Sequence, residues 1–257
     1  MKIGFIGIGN MASAIIEGIS DKKSVYISSS TPERTLEKAN VLGVNATKNN
    51  RNLVEQVDII ILCVKPEMLE AVSNEIKDLI GTKICVSIAA KKTIKDLENY
   101  LGLVPIVRVM PNLNATIKQS TSAITRNNRV SNENYELVNN IFKNVGAVFE
   151  VEENLFSAFI GIAGSSPAFI FKFIDSLMNQ AVKEGMDFDE ALAITVSAVK
   201  GSADFLQQSS NTAQELVVKV CSPGGTTIEG VQSLDKNNFD QIVNEAVAAT
   251  IKKDKLG

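Results

Sequence analysis

Histidine and tryptophan are absent from all 257 residues of the chain. Without imidazole there is no histidine triad, no histidine general base and no histidine-ligated metal, so any chemistry must run through other groups. Cysteine is scarce: Cys63, Cys85 and Cys221 are odd in number and far apart. That pattern fits neither a disulfide framework nor a zinc cluster, and it predicts a reducing, cytoplasmic setting with no metal site. Charge of one sign is also lacking. The net charge is −3 and no basic block is interleaved with aromatics, which argues against a nucleic-acid partner. The N-terminus has no charged region, separate apolar core and cleavage site, so no secretory leader is expected. The most apolar stretch, 155–171, contains Gly161, Gly164, Ser165, Ser166 and Pro167. It falls short of a comfortable membrane span, and a buried interface helix is expected there, with no membrane partner.

What is present is an ordinary globular composition, 45% hydrophobic and 21% charged, over a length that allows one large or two modest domains. The first eighteen residues set the organisation. A short apolar run, Lys2 to Ile6, leads into Gly7 and Gly9, and then Ala12, Ile15, Ile16 and Ile19 recur at helical spacing. This is strand, tight turn, helix. Gly7 can take the sharp backbone angle, Gly9 lets a pyrophosphate approach the chain, and Ala12 keeps the helix close to the strand. The N–H groups of Gly9, Asn10 and Met11 would face the phosphates at the positive helix end. Simple strand-to-helix packing is the plainer alternative.

A second strand over 25–30 and a helix over 32–42, ending at Gly43, complete a βαβ unit. Where NAD sites carry an acidic residue for the ribose 2′-OH, this chain has Ser28, Ser29, Ser30 and Thr31, with Arg34 close behind. That favours NADP(H), a serine-rich turn capping the next helix being the alternative. The run 57–64 (VDIIILCV) suits a strand buried on both faces of a parallel sheet, and Lys65-Pro66 at its carboxyl end would overlook a cofactor. Further strands are expected over 83–90, 106–109, 120–125 and 147–151, with helices over 68–79, 94–101 and 133–144. From residue 152 the strand pattern stops, and helices fit near 154–164, 167–184, 188–208, 212–220 and 239–255. The expected architecture is α/β: a Rossmann-like dinucleotide domain, 1–151, followed by an all-helical domain, 152–257. Pro167 and Pro223 each sit where a helix should begin. In the second case Ser222, Gly224, Gly225, Thr226 and Thr227 bring hydroxyls, glycines and helix-start amides together, a receptor for a carboxylate or else an ordinary corner.

With these residues assembled, the sequence resembles the pyrroline-5-carboxylate reductase family over essentially its whole length. The motifs are GFIGIGNMASAI at the start, CVKP at 63–66, SIAA at 87–90, VRVMPN at 107–112, AGSSPAF at 163–169 and SPGGTTI at 222–228. The resemblance implies an N-terminal Rossmann domain and a C-terminal helical domain that dimerises, often into larger rings, with the active site between domains and across the dimer. It implies NADPH as cofactor, with NADH the alternative, and a cyclic imine as substrate. Cofactor contacts would fall at Ile6, Gly7, Ile8, Gly9, Asn10 and Met11, at Ser30 for the 2′-phosphate, and at Asn50, Val64, Lys65, Pro66, Ala89 and Ala90. Asn112 would lie near the nicotinamide. The SPGGTT turn would hold the substrate carboxylate, with the Thr227 hydroxyl near the ring nitrogen as the catalytic group. Lys91 stands where the family usually has glycine, and Leu113-Asn114 where it has Thr-Pro. The alternatives are a β-hydroxyacid dehydrogenase, whose lysine slot here falls on Ile170, and a non-catalytic NADP(H)-binding regulatory relative.

Overall fold

A computed structural model describes residues 1–256. The chain opens with β1 (Ile3–Ile6), α1 (Asn10–Gly18), β2 (Val25–Ser28), α2 (Pro32–Leu42), β3 (Asn45–Ala46) and α3 (Asn50–Gln56). It continues with β4 (Ile59–Leu62), α4 (Leu69–Ile80), β5 (Ile84–Ser87), α5 (Ile94–Leu101), β6 (Ile106–Met110), β7 (Ser120–Arg126), α6 (Asn132–Lys143) and β8 (Gly146–Glu150). These eight strands form one sheet in the order β3-β2-β1-β4-β5-β6-β7-β8. All pairings are parallel except β6 with β7.

The middle strands β1, β4 and β5 are buried on both faces, and β4 explains how. Its four residues, IIIL, alternate: Ile59 and Ile61 join the cluster around Phe5, Ile15, Val107 and Phe142, while Ile60 and Leu62 join the cluster around Leu53, Leu69, Ile76 and Leu97. A strand with helices on both sides has no polar face, which is why the sequence shows an unbroken apolar run there. Local signals fix the helix ends. Thr31 caps α2 through its side chain, Pro32 occupies the first turn, and Gly43 closes the helix at φ 68°. Thr93 and Asp96 form a reciprocal capping box at the start of α5.

Two elements, α3 and β3, have no counterpart in the sequence reading. Helix α3 is capped by Asn49 and buries only Leu53 and Val54, too little periodic signal to stand out over seven residues. Strand β3, the other, has only two residues.

The remaining elements are α7 (Phe156–Phe159), a π-helical turn (Ile160–Gly164), α8 (Ser166–Lys183), α9 (Phe188–Gln208), α10 (Ala213–Val220), α11 (Thr226–Lys236) and α12 (Phe239–Lys255). The chain divides into two compact units: Met1–Ser165 with the C-terminal stretch from Ile251, and Ser166–Thr250. Packing thus places the division after Ser165, whereas the sequence pattern changes at 152. The first unit keeps the intervening segment because Phe156, Phe159 and Ala163 pack on Ala123 of β7. Arg108 of β6, 4% exposed, also pairs with Glu153 at 3.0 Å and lies over the Phe156 ring. The helical run Glu153–Lys183 is long and apolar enough to cross a membrane by length and composition alone, although a π turn and Ser165 interrupt its regular helix. In the second unit the buried residues are few, Met178, Ala191 and Thr195 among them, while Phe171, Phe173, Phe188 and Ile194 are well exposed. The Phe173 and Phe239 rings pack at 6.5 Å.

Within α4 the Ser73 hydroxyl is fully buried and has no hydrogen-bond partner among the described residues. A buried unpaired hydroxyl costs about 1–3 kcal/mol. Ser73→Ala should therefore stabilise the chain by about 1 kcal/mol, a rise in Tm of roughly 2–4 °C for a domain of this size, measured by calorimetry.

Candidate functional site

At the exit of β1 the backbone turns through Gly7 at φ 89°. A Cβ there would stand 2.8 Å from the Val64 side chain and 3.0 Å from the Cys63 carbonyl group, so only glycine fits. The Gly7 N–H donates to the Ser28 carbonyl at 2.9 Å, and the Cys63 N–H donates to the Ile6 carbonyl at 2.8 Å. The ends of β1, β2 and β4 are thereby drawn together. Gly9, two residues on, is the opposite case: a Cβ on it would meet nothing within 4 Å. It caps α1 with no side-chain hydrogen bond and no acidic residue in the first turn. The first amides of the helix, from Asn10 and Met11 onward, are thus left to an external anion. Ala12, 1% exposed, sits tight beneath them.

A cavity of about 290 Å³ opens beside this turn. Ile6, Gly7, Ile8 and Gly9 line one wall, Ser29, Ser30, Arg34 and Asn50 the end beneath β2, and Val64 and Lys65 the exit of β4. Cys63, Met68 and Val72, which the sequence reading did not include, complete the lining. Cys63 belongs to the CVKP motif; Met68 and Val72 reach the site because the fold lays the start of α4 beside it. No lining residue is acidic and two are cationic, the donor set that a dinucleotide carrying several phosphates requires. The open space at Gly9 and the uncapped helix start beside it fit a pyrophosphate. Burial pushes the Cys63 thiol pKa up, so this cysteine is a packing group and not a thiolate.

Asn50 is set by two neighbours. Its Oδ1 accepts from the Ser28 hydroxyl at 2.8 Å and its Nδ2 donates to Glu75 at 2.8 Å. A carboxylate can only accept, so Glu75 fixes which way the amide faces. No sequence signal marks that residue, which lies on another helix.

Six expected positions lie outside the cavity lining. Asn10 and Met11 are the first residues of α1, and Pro66 opens a 3₁₀ turn, Pro66–Met68. Ala89 is buried, Ala90 is half-buried, and the Ala89 N–H donates to the Ser87 hydroxyl at 3.3 Å. Asn112 is 5% exposed and engaged within the protein. Its N–H donates to Ser120 Oγ, its Oδ1 accepts from the Thr121 N–H, and its Nδ2 donates to the Ala163 carbonyl of the π turn at 3.0 Å. Lys91 adopts φ 62° after β5, so the glycine usual at this position has a backbone reason.

In the second unit, Gly225 N–H donates to the Ser222 carbonyl at 3.0 Å and Gly224 takes φ 70°. A Cβ on Gly225 would come within 2.5 Å of Ser222 Oγ. Gly225 then caps α11 without a side-chain bond, and Thr226 and Thr227 are its first two residues, both exposed. Pro223 was expected to open a helix; it precedes α11 instead, because the turn that Gly224 allows must close before the helix begins. The helix-start amides are open, as the carboxylate receptor requires.

A doubly wound sheet, a glycine turn at an uncapped helix and an acid-free cavity at the strand ends define a nucleotide-dependent oxidoreductase of Rossmann type. Comparison with known proteins narrows the class. The family model described as pyrroline-5-carboxylate reductase dimerisation matches residues 153–256, and that described as NADP oxidoreductase, coenzyme F420-dependent, matches residues 2–91. The pyrroline-5-carboxylate reductase of Aquifex aeolicus is 36% identical over 259 residues, covering 99% of this chain and 97% of its own. The 1-pyrroline-5-carboxylate reductase of Streptococcus pyogenes superposes with a TM-score of 0.93 at 37% identity, over 100% of this chain and 99% of its own. A Plasmodium falciparum pyrroline carboxylate reductase with NADP bound gives a TM-score of 0.91 at 31% identity, over 100% and 97%. The chain belongs to the pyrroline-5-carboxylate reductase family.

The environment of Gly9 separates fold from ligand. Gly9→Ala places a methyl group in open space at an allowed φ of −95°, so Tm should change little. The same methyl enters the pyrophosphate path, and NADP+ affinity should fall about tenfold or more, about 1.4 kcal/mol, by titration calorimetry.

Proposed function

We propose that this chain reduces 1-pyrroline-5-carboxylate to L-proline with NADPH, the last step of proline formation. The observation that carries this reading is the similarity along the full length to reductases of that name, together with the SPGGTT turn present as an uncapped helix start. The cavity beside Gly7 and Gly9 would hold NADPH, which would supply the hydride that the imine carbon needs. The absence of histidine suits this chemistry. A protonated imine is already an electrophile, so the protein needs to position it and stabilise charge, not to supply a strong acid.

In this reading Gly9, Asn10 and Met11 hold the pyrophosphate, Ser29, Ser30 and Arg34 the 2′-phosphate, and Asn50 with Val64, Lys65 and Pro66 the ribose side of the cofactor. Ala89, Ala90 and Asn112 shape the nicotinamide end. Ser222, Gly224, Gly225 and Thr226 take the substrate carboxylate through amides and hydroxyls, and the Thr227 hydroxyl donates to the ring nitrogen as the nitrogen lone pair forms on hydride arrival. Functionally, 1–151 is the dinucleotide domain and 152–257 the dimerisation and substrate domain. The protein acts in the cytoplasm on a small molecule, without nucleic acid or membrane.

The assembly reading rests on surface chemistry. A unit that leaves Phe171, Phe173, Phe188 and Ile194 exposed and buries few side chains lacks an interior of its own. So many exposed large apolar side chains mark a protein interface, and the apolar run Glu153–Lys183 is read as part of it, not as a lipid contact.

Two measurements test these points. The purified chain should consume NADPH when pyrroline-5-carboxylate is added, and Thr227→Ala should lower kcat/KM by at least about tenfold, towards the 100- to 1,000-fold typical of a lost transition-state donor. NADP+ affinity and Tm should stay near their original values; turnover of hydroxy acids in place of the imine would overturn the reading. In light scattering the protein should run as a dimer or larger at micromolar concentration, and a stable monomer would contradict the interface.

A further inference from the structure

We infer that Thr35, a residue outside the cavity, is a positioning residue for cofactor choice: it holds the β2–α2 turn in the shape that presents Ser29, Ser30 and Arg34 to a 2′-phosphate. The inference rests on the NADP(H) reading above and adds to it a residue that touches no cofactor.

Thr35 lies in the first turns of α2 and is 2% exposed. Its Oγ1 accepts from the Ser29 N–H at 2.9 Å and donates to the Thr31 carbonyl at 2.8 Å. Both directions are forced. An amide N–H can only donate and a carbonyl can only accept, so the one hydroxyl proton must go to Thr31 and the lone pair must face Ser29. A single oxygen therefore ties the beginning of the turn to its end.

The turn is held at other points too. The Ser28 carbonyl accepts from the Gly7 N–H, and the Ser28 hydroxyl donates to Asn50. Thr31 Oγ1 accepts from the Arg34 N–H at 3.2 Å, which sets the backbone of the arginine. Between these anchors, the hydroxyls of Ser29 and Ser30 and the guanidinium of Arg34 have no partner among the described residues, and all three residues line the cavity. The Ser29 N–H is consumed by Thr35. The free side-chain donors at this end are therefore the Ser29 and Ser30 hydroxyls and the Arg34 guanidinium, and their placement depends on the turn that Thr35 closes. Groups already held in their bound arrangement bind without an ordering cost.

Removing the Thr35 oxygen orphans the half-buried Ser29 N–H, which is costly to leave without a partner. The relief is for Ser29 to swing its N–H to water, which carries the two hydroxyls off the phosphate position. NADH has no 2′-phosphate and would not register that movement.

The experiment compares Thr35→Val with Thr35→Ser by steady-state kinetics with NADPH and NADH. It adds inhibition by adenosine 2′,5′-bisphosphate and by adenosine 5′-monophosphate, read as binding constants independent of turnover. In Thr35→Val the NADPH to NADH ratio of kcat/KM should fall about tenfold through a higher KM for NADPH, with kcat and the NADH constants little changed. The bisphosphate should weaken by a similar factor and the monophosphate should not, while Thr35→Ser should restore the original values. If Thr35→Val does not fold, Thr35→Ala, which removes the hydroxyl without crowding, is read the same way. An unchanged ratio, an equal loss with both cofactors, or a serine variant that behaves like valine overturns the inference. A wild-type protein that does not prefer NADPH instead overturns the cofactor reading beneath it, so the two failures are distinct.

Discussion

The constraint on which the first unit depends is the close approach of three strand ends at Gly7. Val64 and the Cys63 backbone stand where any side chain at that position would be. Because nothing projects from Gly7, β1 can donate to β2 and accept from β4 at the same level, and the cavity is walled by all three. Gly9 serves the reverse purpose. The first glycine is required by protein atoms already in place, the second by the space left for a ligand, and a motif that spells both with one letter hides two different physical demands.

A second constraint governs the far edge of the same unit. The guanidinium of Arg108 is nearly sealed, and its compensation comes from Glu153 and from the face of the Phe156 ring. Glu153 also accepts from the Ile94 N–H at 2.7 Å, so one carboxylate oxygen joins β6, the start of α5 and the segment that leads out of the sheet. A buried cation deprived of its partner costs about 3–5 kcal/mol, which makes this carboxylate costly to lose. The π turn that follows is held by Asn112 from the strand end beside it. Wide turns of this kind interrupt helices mostly where function demands it.

Much of this was legible in the chain. The central strands fell within two or three residues of expectation because strands covered on both faces need unbroken apolar runs. Helices α2, α5, α9 and α12 ended where capping residues, glycine and periodicity placed them. What escaped notice was short or non-local. Helix α3 had two buried residues and one asparagine cap to announce it, and β3 has two residues; the helix expected from Pro223 starts at Thr226 instead, because that proline belongs to the preceding turn. In the site, the motifs named most of the residues that line the cavity, because those come from runs adjacent in sequence. The ties of Thr35 and Glu75 did not show, since each is a bond between elements whose register only the folded chain defines. Asn112 was expected beside the cofactor, but it lies outside the cavity lining, and its engagement with Ala163 was not legible.

The scant interior of the helical unit has a consequence for how the molecule comes into being. A segment that buries little against itself gains its stability from contacts made elsewhere, and where those contacts belong to a second chain, folding and association become one equilibrium. The free energy that holds 166–250 together then varies with the amount of protein present, so the first copies synthesised in a cell are the least secure of all.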